Sequence, residues 1–161
     1  GNGGTRYKPI IMESIKSPDG RILYQSESQV IGKVPVSEPT LRILKTGLWA
    51  VVNSDNGTAR GSRLEDIEIS GKTGTSQVIS RKKDDTRSEE ERPAHLRPHA
   101  WFVAYAPSEN PVIAVAVLIE HGEHGSSAAA PVARELIKAY LRKPLAGDQV
   151  AQDSAEKDNS G

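Results

Sequence analysis

The run "PVIAVAVLIE", Pro111 to Glu120, constrains the fold more than any other stretch of the chain. Both of its alternating sets are apolar: Val112, Ala114, Ala116 and Leu118 on one, Ile113, Val115, Val117 and Ile119 on the other. A strand without a polar face is covered on both sides. The pattern therefore predicts a strand lying inside a sheet. "HAWFVAYA", His99 to Ala106, reads as another strand, and the short link from Pro107 to Asn110 predicts that the two pair antiparallel. Ile67 to Ile79 is a third strand candidate, rich in β-branched residues.

Helical spacing appears twice. After Ser37, Glu38 and Pro39, the residues Leu41, Leu44, Leu48 and Val51 or Val52 recur at that spacing, predicting a helix that ends near Asn53. Behind the Gly-rich link "HGEHG", Ser126 or Ser127 is placed to cap a second helix with Pro131 in its first turn. Its expected apolar stripe is Val132, Leu136, Ile137, Tyr140 and Leu141. Upstream, "KPIIMESIKS" and "RILYQSES" flank Pro18-Asp19-Gly20, a turn signal that predicts a small hairpin. The fold class is α+β: a three-stranded antiparallel meander plus a small hairpin, packed against helices. One domain is expected over residues 1–143. It carries a charged mobile loop at about 80–98, and a small, polar, disordered tail follows at 144–161.

Composition removes several classes of function. Lys plus Arg and Asp plus Glu balance at 21 each, which gives no basic footprint for nucleic acid. Cysteine is absent, so disulfides and thiolate metal sites are excluded. No apolar run reaches the roughly 18 residues of a membrane span. The opening "GNGGTRYKP" is no signal peptide and reads as cut from something longer.

The chemistry turns on "SGKTGTSQV", Ser70 to Val78. Gly71-Lys72-Thr73 matches the tail of a phosphate-binding loop, but that motif needs a glycine where Asp66 stands and a helix directly after the lysine. Both contexts fail. A Lys72-Thr73-Gly74-Thr75 run on a strand instead lets an extended ligand lie alongside the backbone as an added strand. Gly71 and Gly74 would then clear space for its approach. Alternation puts Lys72 and Thr73 on opposite faces, so both serve one site only from an edge strand. The other Lys-Thr-Gly, Lys45 to Gly47, falls within the first helix and reads as structural.

An ordered set of segments carries a wider likeness. "NGGTRYKP", "GLWAVVNSDNGTA", "SGKTGTSQV", "HAWFVAYAP" with "PVIAVAVLIE", and "SSAAAPVARELIKAYL" resemble, in order, the C-terminal part of the transpeptidase domain of class B penicillin-binding proteins. The likeness is strongest to the elongation-type branch, penicillin-binding protein 2, and covers about Asn2 to Arg142. It implies a peptidoglycan D,D-transpeptidase that cross-links stem peptides through a serine acyl-enzyme and is blocked by β-lactams. It also implies a bacterial inner-membrane protein working on the periplasmic side, with elongation-machinery membrane proteins as candidate partners. No cofactor is implied.

Residue by residue, the resemblance makes Lys72 a cation beside the active-site hydroxyls that also draws in the substrate carboxylate. Thr73 and Thr75 would donate hydroxyl hydrogen bonds to that carboxylate. The Thr75 backbone N–H would be half of the oxyanion hole, and Gly74 the clearance residue. The nucleophile is absent. The family's Ser-x-x-Lys and Ser-x-Asn stand well upstream of Lys-Thr-Gly. The formal matches Ser80 to Lys83 and Ser154 to Lys157 follow that strand instead, and Ser54 to Asn56 stands too close before it. The missing N-terminal half of the domain is thus itself an expected partner, and the isolated fragment is expected to be inactive. Two other readings stay open: a fragment of a serine β-lactamase or β-lactam sensor, and a non-catalytic binding or scaffold module. His95, His99, His121 and His124, with Glu123, are read as water-facing loop residues and not as a metal site. Gly125, Ser126 and Ser127 are candidates for the rim of the substrate cleft, and Trp49 and Trp101 for packing.

Overall fold

The computed structural model describes residues 1–78 and 93–142. The loop expected at about 80–98 therefore falls mostly outside the described residues, as do the expected tail and both late Ser-x-x-Lys matches. The chain divides into two compact units, residues 1–47 and the remainder from Leu48.

In the first unit, β2 (Ser14–Lys16) and β3 (Ile22–Gln25) form the expected antiparallel hairpin. Gly20 turns the chain at φ +85°, a conformation glycine adopts without a Cβ penalty. The Gly20 N–H donates to the Ser17 carbonyl at 2.9 Å. The Ser17 hydroxyl, and after it Arg21, hold the Asp19 carboxyl below the usual aspartate range. A second ladder, β1 (Thr5–Tyr7) with β4 (Val30–Lys33), brackets this hairpin. Helix α1 (Glu38–Asn53) starts where its signals place it: the Thr40 N–H donates to the Ser37 hydroxyl at 3.4 Å and the Leu41 N–H to the Ser37 carbonyl at 3.0 Å.

The second unit holds the meander. β5 (Ser70–Ser76), β6 (His99–Ala106) and β7 (Ile113–Ile119) pair antiparallel in that spatial order. Matched residues are Lys72, Val103 and Ala116 on one face, and Thr73, Phe102 and Val117 on the other. The second face is the core. Ala100, Phe102, Ala104 and Val117 are buried there together with Val52, Ile69 and Ile137.

Two expectations need correction. The strand inside the described sheet is β6, and β7 is an edge. Apolar alternation reports which faces a strand offers, whereas chain topology decides which rims are paired. On β7 the Ile113, Val115, Val117, Ile119 set faces the core, while Ala114, Ala116 and Leu118 are exposed.

Helix α2 (Ala130–Leu141) follows a π-helical turn, Gly125–Ala129, and neither Ser126 nor Ser127 caps it. Its buried stripe is Ala130, Ala133 and Ile137, with Leu141 packed partly against the core. The larger Val132, Leu136 and Tyr140 are exposed. Small residues on the inner stripe bring the helix close to the sheet, so residue size misidentified the face. At the end of α2, Arg142 grips both Asp66 carboxylate oxygens at 2.7 Å. This bond holds the Asp66 carboxyl below its ordinary range.

Within the second unit, Asn53 at the end of α1 is tied to the strand that matters most. Its buried amide donates to the Trp49 carbonyl at 2.9 Å and to the Ile69 carbonyl, just before β5, at 2.8 Å. Asn53→Ala strands the Ile69 carbonyl without a donor, an expected loss of about 1–3 kcal/mol. Urea unfolding of the two proteins, compared by midpoint at equal slope, checks this. A change under about 0.5 kcal/mol would contradict the anchoring role.

Candidate active-site rim

Among the described residues β5 is the outer strand of its sheet, joined to β6 along one side only. This meets the condition that alternation imposed on Lys72 and Thr73. Peptide groups in an antiparallel ladder alternate in direction, so those of Thr73 and Thr75 point the same way. The Lys72 ammonium donates to the Thr73 carbonyl at 2.6 Å, marking that direction as the open rim. The Thr75 peptide therefore also faces outward. The rim presents a cation on the side of Val103 and Ala116, and two threonine side chains on the side of Phe102 and Ala100. Lys72 and Thr75 are exposed, and Thr73 and Gly74 half-buried.

The two glycines of the motif differ in use. A Cβ at Gly71 would stand 2.6 Å from the Phe102 ring and 2.9 Å from the Val103 carbonyl, so the core fills that space and a ligand does not. At Gly74 an added Cβ would stand 3.2 Å from the Trp101 Cβ, a tight contact with a side chain of the neighbouring strand. The π-helical turn sits on the same spot from the loop side. A Cβ at Gly125 would fall 2.2 Å from the Trp101 carbonyl oxygen and 2.9 Å from that of Gly74. Gly125 thus supports the rim from beneath, while Ser127 is occupied locally, its hydroxyl donating to the His124 carbonyl at 3.4 Å.

His95 and His124 are exposed, as expected, but His99 and His121 are more engaged than water-facing loop residues. His99 and His121 stack with tilted rings 4.9 Å apart, and the His121 N–H donates to His99 Nδ1 at 3.0 Å. His121 Nδ1 lies 3.1 Å from the Arg97 carbonyl. Arg97 pairs with Glu123 at 3.0 Å, both side chains largely covered. His121 and Glu123 both take left-handed backbone, at φ +57° and +63°, conformations that cost side-chain-bearing residues about 1–3 kcal/mol. The payoff lies at the rim: the Glu123 carbonyl accepts the Thr75 hydroxyl at 3.4 Å. Sequence reasoning missed Arg97 and Glu123 as a pair. Among the described residues, no group of three or more His, Asp or Glu side chains lies close enough together to hold a metal. The formal Ser-x-Asn match, Ser54 to Asn56, also stays local, the Ser54 hydroxyl and N–H both donating to the Ala50 carbonyl.

Comparison with known proteins agrees with this architecture. The family described as "Penicillin binding protein transpeptidase domain" matches residues 1–138. Peptidoglycan D,D-transpeptidase MrdA of Haemophilus influenzae is 34% identical over 148 residues, covering 89% of this chain and 22% of its own length. Among solved structures, the ceftriaxone acyl-enzyme complex of penicillin-binding protein A from M. tuberculosis superposes at a TM-score of 0.65 and 29% identity, over 88% of this chain and 29% of that one. Helicobacter pylori PBP2, solved in complex with MreC, superposes at 0.55 and 30% identity, over 76% of this chain and 21% of that one. The chain therefore spans between a fifth and a third of each of these relatives. On its sequence and its fold alike, the chain belongs to the penicillin-binding protein transpeptidase domain family.

Proposed function

We propose that this chain is the C-terminal portion of a peptidoglycan D,D-transpeptidase, held at the bacterial inner membrane and working on its periplasmic side. It supplies the substrate-side wall of the active site. The observation that carries this reading is the open rim of β5, where Lys72, Thr73, Gly74 and Thr75 stand in line with one backbone edge unpaired by β6. A stem peptide ending in D-Ala-D-Ala, or a β-lactam that mimics it, lies antiparallel to this rim. Lys72 and the Thr73 hydroxyl meet its carboxylate, and the outward Thr75 N–H faces the carbonyl under attack. As a serine oxygen from the upstream half adds to that carbonyl, charge gathers on the carbonyl oxygen. A fixed N–H aimed there stabilises the transition state more than the ground state. The terminal D-Ala leaves, and an amine from a neighbouring peptide takes the acyl group. Partners among elongation-machinery proteins fit the relative solved with MreC.

A fluorescent penicillin tests this. The full-length product of the gene should label at a serine within a Ser-x-x-Lys upstream of Gly1, and the 161-residue chain alone should stay unlabelled. Full-length protein that fails to label, or label on any serine of residues 1–161, would overturn the assignment.

A further inference from the structure

The loop from Glu120 to His124 lies behind the rim and does not belong to the tetrapeptide motif, yet it is fixed at every step. The His121 N–H is taken by His99, the Glu123 N–H by the Pro98 carbonyl at 2.9 Å, and the His124 N–H by the Gly122 carbonyl at 2.7 Å. Arg97 closes the set on the Glu123 carboxylate. Two consecutive-but-one residues with side chains are thereby kept in left-handed backbone. A left-handed residue turns its carbonyl away from the course of the strand before it. At Glu123 that carbonyl points onto the Thr75 hydroxyl.

We propose that Arg97 and Glu123 are positioning residues for acyl transfer. Their ion pair holds the Glu123 carbonyl against Thr75 and so fixes the direction of the Thr75 peptide at the rim. The inference rests on the transpeptidase reading and deepens it. It also divides the labour between the threonines. A hydroxyl has one proton; that of Thr75 is directed to Glu123, which leaves Thr73 as the hydroxyl donor to a ligand carboxylate. Arg97 and Glu123 should accordingly govern the rate of acylation more than ligand affinity.

The test uses the full-length transpeptidase, with penicillin acylation resolved into the dissociation constant K of the first complex and the acylation rate constant k2. Glu123→Gln and Arg97→Gln each remove the charge pairing and leave side-chain volume nearly intact. Each is expected to lower k2 about tenfold, as small misplacements of reacting groups do, with K unchanged within about twofold. The double variant should lose no more than either single one, the mark of two groups acting as a unit. His124→Ala, which alters an exposed neighbour, serves as the control and should label at the wild-type rate. A k2 within twofold of wild type in both single variants overturns the proposal. So do losses that multiply in the double variant, or a fall in k2 that only accompanies a lowered thermal midpoint. If the wild-type protein itself does not acylate, the transpeptidase reading fails instead, so the two failures are distinguishable.

Discussion

Gly125→Ala is expected to lower the thermal midpoint by on the order of 10 °C. The added carbon would stand 2.2 Å from the Trp101 carbonyl oxygen, 2.9 Å from the Gly74 carbonyl oxygen and 3.1 Å from the Gly74 nitrogen. All three are backbone atoms of residues paired in the β5–β6 ladder, so no side-chain rotation relieves the contact. Either the π-helical turn lifts away from the sheet, or the Gly74–Trp101 pairing opens. Overpacking of this kind costs about 1–3 kcal/mol when neighbours give way, and backbone that cannot yield puts the cost at the upper end or beyond. A domain of this size loses about 2–4 °C or more for each kcal/mol. Gly61→Ala is the matched control, since an added Cβ there meets nothing within 4 Å. Its midpoint should stay within about 2 °C of the parent. A Gly125→Ala protein that melts alongside the Gly61→Ala protein would show that the turn does not bear on the rim as described.

The features that were legible in the sequence are those carried by short-range periodicity. β5, β6 and β7 announce themselves through β-branched and alternating residues, and α1 through Ser37 and the spacing from Leu41 to Val52. The edge position of β5 was also within reach, because Lys72 and Thr73 point to opposite faces and a shared ligand requires a rim. Features that depend on distant partners were not legible. The β1–β4 ladder joins strands of three and four residues, too short to show a period, across the whole length of the hairpin. Ala130 and Ala133 line the inner stripe in place of Val132 and Leu136, because the helix packs by closeness of approach and not by side-chain size. Arg97 and Glu123 stand 26 residues apart, and neither neighbourhood hints at the other. Only the meander brings the start of β6 beside the end of β7, where the two meet under Thr75. The same topology explains why, among the described residues, the all-apolar run pairs along one side only: its faces are written locally, and its neighbours are not.

Lys72→Ala in the full-length transpeptidase should reduce acylation by penicillin by about a hundredfold or more, the scale seen when one fixed electrostatic contact to a developing charge is removed. The ammonium lies within reach of the Thr73 carbonyl at 2.6 Å, so it rests on the rim itself, beside the space a ligand must enter. Its stem runs over the face shared with Val103 and Ala116, and part of an alanine variant's loss would come from packing. Lys72→Met separates the two contributions: it keeps the stem, loses the charge, and is expected to be nearly as slow as Lys72→Ala. Lys45 supplies the counter-case. It opens the same Lys-Thr-Gly tripeptide within α1, where no strand rim exists, and Lys45→Ala should acylate within about twofold of wild type. Equal losses at Lys45 and Lys72 would mean that charge near the site, and not its place on an edge strand, governs the reaction. A Lys72→Met protein that acylates at the wild-type rate would remove the ammonium from the chemistry altogether. The tripeptide acts through its secondary structure: on the edge of a sheet the lysine, the threonines and one amide share a line that a peptide can follow, and in a helix they do not.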